Sequence, residues 1–296
     1  MPAVQVLQGV RVLSLALNLP GPAALMRCRR MGAHCTKLEP PHGDPMAHYN
    51  RPAYAQLHEG VKVESADLKT AEGQALLHRE LARTDVLLTS FRPSALIKLG
   101  LDWKTLHTRY PSLCHVAIGG GAGALAEEPG HDLTYLAANG LVTGLELPAT
   151  LYADMCGSVM ASEAVLQAAL HQAQRYTGTG EVHPRGIRLE VALAETAGYL
   201  ALPRQWGLTQ PDGAVGGAHA GYGIYRCKDG RVAVAALEPH FAAALCAAAG
   251  VPVSDLRAMF AQGTHEAIGR YLRSQTRAEL ERLAADLDIP LHTLAD

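Results

Sequence analysis

Residues 9–39, GVRVLSLALNLPGPAALMRCRRMGAHCTKLE, decide the fold of this chain. The apolar run at residues 10–15 predicts a strand, and the Pro-rich turn at residues 18–22 ends it. Residues 23–31 then predict a helix that stops at the following glycine, and residues 35–39 predict a second strand. Strand, helix and strand in this order form a βαβ unit, which favours a parallel sheet.

The N-terminal half repeats this alternation, so we predict an α/β, doubly wound fold there. The further predicted elements are strands at residues 66–68, 85–88 and 115–118, and helices at residues 72–83, 155–175 and 189–208. Residues 210–223 are rich in Gly and Ala, as linkers are. Residues 223–237 predict a hairpin that turns at Asp229-Gly230. The rest is predicted to be helical, at residues 241–249, 265–273 and 277–286.

Composition excludes several classes of protein. Hydrophobic residues make up 48% of the chain and charged residues 18%, so a packed core is expected. The net charge is −2 and there is no basic stripe, so nucleic acid is not an expected partner. The 6 cysteines form no CxxC pair, which favours reduced thiols over a disulfide frame or a metal site. No apolar run is long enough for a membrane span and the N-terminus lacks a signal sequence, so a cytoplasmic enzyme is expected.

Three acidic or basic side chains stand out as a possible acid/base set. They are His131, which lies between Gly130 and Asp132, then Asp154 and Glu238. A thioester's α-proton can be removed only if one group takes it and another supports the developing charge. Each residue also has an ordinary interpretation: His131 as a surface or core histidine, Asp132 and Asp154 as helix N-caps, and Glu238 as a solvated charge at a strand end.

The order of short motifs along the chain is more specific than any one of them. The motifs are GVRVL at 9–13, PGP at 20–22, MGA at 31–33, KLEPP at 37–41, GDP at 43–45, ADLK at 66–69, DVLL at 85–88, FRP at 91–93, LGL at 99–101, PGHDL at 129–133, Asp154, YRCKDGR at 225–231 and LEP at 237–239. In this order they resemble the family III CoA-transferases, which include α-methylacyl-CoA racemases.

The resemblance implies a fold and an assembly. It predicts a Rossmann-like, CoA-binding large domain with a parallel sheet at residues 1–190, a helical linker at 191–215 and a small α/β domain at 216–296. Relatives form homodimers of interlocked rings, with the thioester between the large domain of one subunit and the small domain of the other. The family's C-terminal return to the large domain is expected to be missing, because the chain ends soon after residue 291.

The resemblance also implies roles for the candidate residues. Racemases share the Gly-His-Asp motif, which favours His131 and Asp154 as the two proton-transfer groups, with Glu238 paired to His131. Backbone N–H groups near Gly157 and Ser158 are expected to stabilise the enolate. One alternative is CoA transfer, in which Asp154 attacks an acyl-CoA to form an anhydride. Another alternative is a non-catalytic CoA-binding or partner subunit, motivated by the altered loop at residues 119–128.

Acyl-CoA is the expected substrate, with no tightly bound cofactor and no metal. Coenzyme A carries several phosphates, so cations are expected to line its site. Arg92 is the first candidate, followed by Lys62 and Arg51. Gly120 and Gly121 follow a predicted strand and allow the backbone to approach the thioester closely.

Overall fold

The computed structural model describes residues 4–174, 185–252 and 256–295. The chain divides into two compact units, Met1–Ala201 and Leu202–Asp296. None of the helices in these described ranges has the length and apolar character needed to cross a membrane.

The first unit alternates strands and helices. Its strands are β1 (Arg11–Ser14), β2 (His34–Glu39), β3 (Lys62–Ser65), β4 (Val86–Thr89), β5 (Cys114–Gly119) and β6 (Arg188–Ala192). Its helices are α1 (Pro20–Arg30), α2 (Pro45–Tyr49), α3 (Arg51–Leu57), α4 (Ala71–Leu81), α5 (Pro93–Lys98), α6 (Trp103–Arg109), α7 (Asp132–Ala138), α8 (Tyr152–Gln174) and α9 (Leu193–Leu200). A short 3-10 helix, Gly123–Glu127, follows β5.

The strands form a parallel sheet in the order β3-β2-β1-β4-β5-β6. Every residue of β4 is buried, as expected for a central strand with both faces covered. One face packs Val12, Val86 and Val116 against α1 and α8, and the other packs Leu13 and Leu87 among leucines of the opposite layer. The order reverses between β1 and β4, which is where open α/β sheets leave a crevice for ligands.

Two predictions about the first unit are wrong in detail. Residues 188–192 form strand β6 instead of the beginning of a helix, because Leu189 and Val191 alternate with charged residues and pair with buried β5. The predicted strand at residues 66–68 is instead the loop that follows β3. The remainder of the helix predicted at residues 189–208 forms two short helices, α9 and α10 (Leu202–Gln205), and α10 lies in the second unit.

The second unit packs helices on a small antiparallel sheet. Strands β7 (Tyr222–Cys227) and β8 (Gly230–Ala235) form the predicted hairpin, and β9 (Leu291–Leu294) pairs with β8. The helices are α11 (Pro239–Ala248), α12 (Gln262–Ser274) and α13 (Arg277–Leu287). Val232, Val234, Ile268 and Leu272 belong to the buried core of this unit. Strand β9 falls where the sequence predicted no strand, and it covers the free edge of β8.

Candidate active site

A cavity of about 310 Å³ opens in the first unit where β1, β4 and β5 end. The loop after β1 contributes Asn18, the turn after β4 contributes Arg92, and the end of β5 contributes Gly120. The full lining is Leu17, Asn18, Pro20, Ser90, Phe91, Arg92, Ile118, Gly119, Gly120, Ala126, Glu128, Pro129, Gly130, His131, Tyr135, Asp154 and Leu193. The cavity therefore occupies the crevice at the reversal of strand order.

Asp154 lies in the first turn of α8 and lines this cavity. The pKa of its carboxyl is raised to about 6, chiefly by burial and also by the nearby charge of Asp132, while His131 opposes the shift. The buried Asp132 carboxylate accepts a hydrogen bond of 2.9 Å from the Asp154 backbone N–H. A carboxyl group with a pKa near 6 can exchange a proton readily near neutral pH.

His131 reaches the same cavity from the beginning of α7. The predicted N-cap Asp132 is instead the first helical residue, and His131 occupies the N-cap position. Thr134 fixes this turn, since its hydroxyl accepts from the His131 N–H and donates to the His131 carbonyl. With its own carboxylate bonded to Asp154, Asp132 ties α7 to α8 and so ties the two candidate groups together.

Tyr135 forms part of the cavity wall beside two glycines. A side chain at Gly120 or Gly130 would overlap the Tyr135 ring or hydroxyl, so the close packing explains the glycines at both positions. The pKa of Tyr135 is raised by burial and by the charge of Asp154, and Arg92 lowers it. The phenol is therefore a neutral O–H group within electrostatic reach of the candidate acid/base residues.

The structure brings some predicted residues together and leaves others apart. Asp154, His131, Gly120 and Arg92 line one cavity. Gly121 lines an adjoining cleft that shares Phe91, Ile118, Gly119 and Ala126 with it.

The two other predicted cations do not line the cavity. Lys62 is exposed on the edge strand β3 and pairs with Glu64, and Arg51 is exposed at the beginning of α3. Glu238 is the exposed N-cap residue of α11, in the second unit.

The expected backbone donors Gly157 and Ser158 are wrong. Helix α8 begins at Tyr152, so both residues lie beyond the first four N–H groups that a helix leaves free. Near the helix start, the Asp154 N–H donates to Asp132 and the Met155 N–H to Leu151. Gly157 and Ser158 therefore offer no free backbone N–H at the start of α8.

A second cavity of about 290 Å³ adjoins the first and was not predicted. Leu17 and Phe91 line both cavities. Its other lining residues are mostly apolar, with three polar ones among them: Leu15, Leu38, Pro40, His42, Ala66, Asp67, Leu68, Lys69 and Leu99. Lys69, at the end of the ADLK motif, is a cation that sequence reasoning missed, although the motif itself was a usable signal.

A family model described as CoA-transferase family III matches residues 7–296. The chain belongs to this family. The predicted family and the α/β fold are thereby confirmed, while the activity within the family is left open by the relatives.

The curated relatives include both transferases and racemases. The chain is 36% identical over 197 residues to a succinyl-CoA–D-citramalate CoA-transferase of Chloroflexus aurantiacus, a match covering 61% of this chain and 49% of the relative. It is 28% identical over 267 residues to the α-methylacyl-CoA racemase of Homo sapiens, covering 84% of this chain and 66% of the relative. The chain thus spans about half of the first relative and 66% of the second.

Solved structures share the fold over the whole chain. A hypothetical protein (Rv3272) from Mycobacterium tuberculosis superposes with a TM-score of 0.83 at 25% identity, covering 100% of this chain and 86% of that one. A CAIB/BAIF family protein from Brucella suis superposes with a TM-score of 0.77 at 23% identity, covering 98% of this chain and 84% of that one.

Proposed function

We propose that the protein acts on acyl-CoA thioesters and racemises or epimerises the carbon next to the thioester carbonyl. The observation that carries the proposal is the shared cavity of His131 and Asp154, in which the pKa of Asp154 is raised to about 6. A two-base exchange requires two proton-transfer groups at one substrate carbon, and a carboxyl with a pKa of about 6 can act as acid or as base near neutral pH.

In the proposed reaction, one of the two groups removes the α-proton from one face of the substrate. The C–H electron pair then becomes the enolate, and its charge moves to the thioester oxygen. The other group delivers a proton to the opposite face, which inverts the carbon and restores the thioester. Asp154 acts as carboxylate in one direction and as carboxylic acid in the other, so a pKa near 6 keeps both forms accessible.

The enolate needs stabilisation beyond proton transfer, which supplies only about 10²- to 10⁴-fold. The Tyr135 hydroxyl lies at the cavity wall beside Gly120 and Gly130 and is the group we assign to the enolate oxygen. One such donor contributes about 10²- to 10³-fold in enzymes that stabilise an oxyanion. Tyr135 takes over the role that the sequence had suggested for backbone groups of α8.

The adjoining cavity is proposed to hold the nucleotide end of coenzyme A. Its apolar floor suits a flat adenine ring, and Lys69 at its rim suits phosphate. Arg92 lines the first cavity and directly follows Phe91, which lines both cavities, so we assign it to the phosphates nearest the reacting groups. Gly120 and Gly121 carry no side chain, so the backbone at these two residues can approach the thioester closely.

Glu238 and a second subunit complete the proposal. We keep Glu238 as the carboxylate that orients His131, a role that carboxylates commonly play for catalytic histidines. We keep the homodimer that the resemblance implies, and exposed apolar side chains of the first unit, including Leu145, Leu147 and Val159, are available to a partner subunit.

Incubation of the protein with 2-methylacyl-CoA in deuterated water tests the proposal. We expect deuterium at the α-carbon together with loss of optical purity. His131→Ala should abolish both, and Lys62→Ala serves as the matched control because Lys62 does not line the cavity. Absence of α-deuterium with every acyl chain length tried would contradict racemisation.

CoA transfer is the second candidate, favoured by the relatives that are named CoA-transferases. Asp154 would attack the acyl-CoA carbonyl to give a mixed anhydride, with CoA leaving as its thiolate. Hydroxylamine would trap this anhydride as a hydroxamate on Asp154. His131→Ala should spare transfer but abolish racemisation, and CoA binding without either activity would indicate the non-catalytic alternative.

A further inference from the structure

Lys37 is a fully buried lysine in strand β2 that takes no part in the proposed chemistry. Its Nζ lies 2.5 Å from Asp44 Oδ2, 3.0 Å from Glu39 Oε1 and 2.9 Å from His58 Nε2. These three partners use all three N–H donors of the ammonium group. Burying such a set of charges costs several kcal/mol before their attraction is counted, so the cluster calls for an explanation.

The hydrogen bonds indicate that His58 is the neutral member of this cluster. His58 Nδ1 lies 2.7 Å from the Tyr54 carbonyl oxygen and therefore donates, which leaves Nε2 to accept from Lys37. The pKa of His58 is lowered by burial and by the charge of Lys37, in agreement with a neutral ring. Glu39, Asp44 and His58 bring three possible metal ligands within 4.8 Å of one another, but the ammonium group already fills the place of a cation.

Asp44 connects this cluster to the cavity. Its two carboxylate oxygens lie 3.1 and 3.2 Å from the backbone N of Asn18, and Oδ1 also accepts from Met46 N at 2.9 Å. Asn18 has a φ of 64°, a left-handed conformation that costs energy for a residue with a side chain. On the other side, the Leu17 N–H donates to Ser90 Oγ at 3.3 Å, so the loop after β1 is held from two sides.

We propose that Asp44 positions the loop between β1 and α1 by holding the Asn18 peptide at the cavity wall, while Lys37 compensates the buried charge of Asp44. This inference rests on the proposed function, since Leu17, Asn18 and Pro20 line the cavity that contains Asp154. Asp44 is a positioning residue, because it reaches the substrate only through Asn18.

Tyr49 supports the connection between the two carboxylates. Its hydroxyl lies 3.5 Å from Asn18 Oδ1. Its pKa is raised by burial and by the charges of both Asp44 and Asp154, which places the anchor and the reacting group in one electrostatic neighbourhood. A misplacement of about 1 Å at such a site can reduce turnover by about 100-fold.

Two double variants separate positioning from the ion pair. Lys37→Met/Asp44→Asn and Lys37→Met/Asp44→Ala both remove the charges of the pair, and only the asparagine keeps an oxygen for Asn18 and Met46 at the place of Oδ1. We expect α-deuterium exchange within about threefold of the wild type for the asparagine variant, and a fall of kcat of about 100-fold for the alanine variant. Tyr54→Phe, which removes only the bond to Glu39, should leave kcat unchanged.

Amide hydrogen exchange of Asn18 gives a readout that does not depend on activity. We expect this amide to be protected in the wild type and the asparagine variant and to exchange rapidly in the alanine variant, with thermal melts confirming that all are folded. Equal protection in the two double variants, or full kcat with an unprotected amide, would overturn the inference. If the wild type shows neither α-deuterium exchange of the substrate nor CoA transfer, the proposed function fails. The protection of the Asn18 amide then decides the role of Asp44 by itself.

Discussion

At the level of single residues, the environment of Asp154 is unfavourable for its ionised form. Burial and the Asp132 carboxylate raise the pKa of Asp154 to about 6, against an ordinary value of 3.8. The folded state therefore binds this proton more tightly than the unfolded state. The corresponding stability is present at low pH and is lost as the pH rises from the ordinary value through about 6.

Asp154→Asn should therefore stabilise the protein at neutral pH while abolishing activity. We expect the free energy of unfolding at pH 7.5 to rise by roughly 1 to 2 kcal/mol, allowing for the part of the side chain that water reaches. The gain should disappear at about pH 3, below the ordinary pKa of 3.8, where both states carry the proton. Urea unfolding at the two pH values measures it. A loss of stability at pH 7.5 would show that the folded state stabilises the carboxylate.

Asp132→Asn should change the pH dependence of turnover. The amide keeps an oxygen for the Asp154 N–H but removes the charge that raises the pKa of Asp154. That pKa should fall, so the acid limb of the rate of α-deuterium exchange should move to lower pH. Asp102→Asn, at the N-cap of α6 and outside the cavity, is the matched control. An acid limb that stays in place would separate Asp132 from the titration.

At the level of elements, the glycine-rich loop after β5 is fastened to the turn that carries Arg92. The Glu127 carboxylate accepts from the Ser94 backbone N at 2.6 Å and from the Ser94 hydroxyl at 2.9 Å. It caps α5, whose own N-cap residue Arg92 makes no side-chain cap bond. Both ends of this link carry residues that line the cavity, including Arg92 and Glu128.

Glu127→Ala should loosen this link without unfolding the protein, because both partners are exposed. Loss of a cap costs about 1 kcal/mol of stability, and we expect the loosened turn at Arg92 to lower kcat/KM for the acyl-CoA. Ser94→Ala in the same background should add little, since the two changes remove one interaction. Glu146→Ala, another exposed glutamate, is the control. Additive effects of Glu127→Ala and Ser94→Ala would contradict a shared link.

The elements also show what sequence could predict. The unit of β1, α1 and β2 follows from periodicity and from the turn at Pro20, and the hairpin of β7 and β8 follows from Asp229-Gly230. Strand β6 was missed because its alternation lasts five residues and runs directly into α9. Strand β9 is recognisable only once β8 offers an open edge to pair with.

Some residues of the candidate site could be predicted from the sequence and others could not. The motifs predicted His131 and Asp154, and the structure places both in one cavity. The roles of Asp132, Tyr135 and Lys69 depend on which loops meet at the strand ends, and spacing along the chain does not contain that information. Lys62, predicted from a position where the family usually has Lys or Arg, and Arg51 are exposed and lie outside the cavity lining, so their contact with coenzyme A stays a prediction.

At the level of the whole molecule, the proposal joins residues from both compact units. His131 and Asp154 belong to the first unit and Glu238 to the second. If homodimers form and Glu238 serves the partner's histidine, each active site draws on two chains. A mixture of two inactive variants can then contain intact sites, because a closed dimer has two equivalent positions for each residue.

Coexpression of His131→Ala with Glu238→Ala chains tests this arrangement. Half of randomly mixed dimers are heterodimers, and each would hold one intact site, so we expect about a quarter of wild-type α-deuterium exchange. If Glu238 serves its own chain, no mixed dimer contains an intact site and the mixture stays as inactive as its components. Sedimentation of the wild type checks that the protein is a dimer. The two variants, purified separately and mixed without exchange of subunits, give the baseline activity of the variant homodimers. A monomer in sedimentation, together with no recovery, would confine the site to one chain.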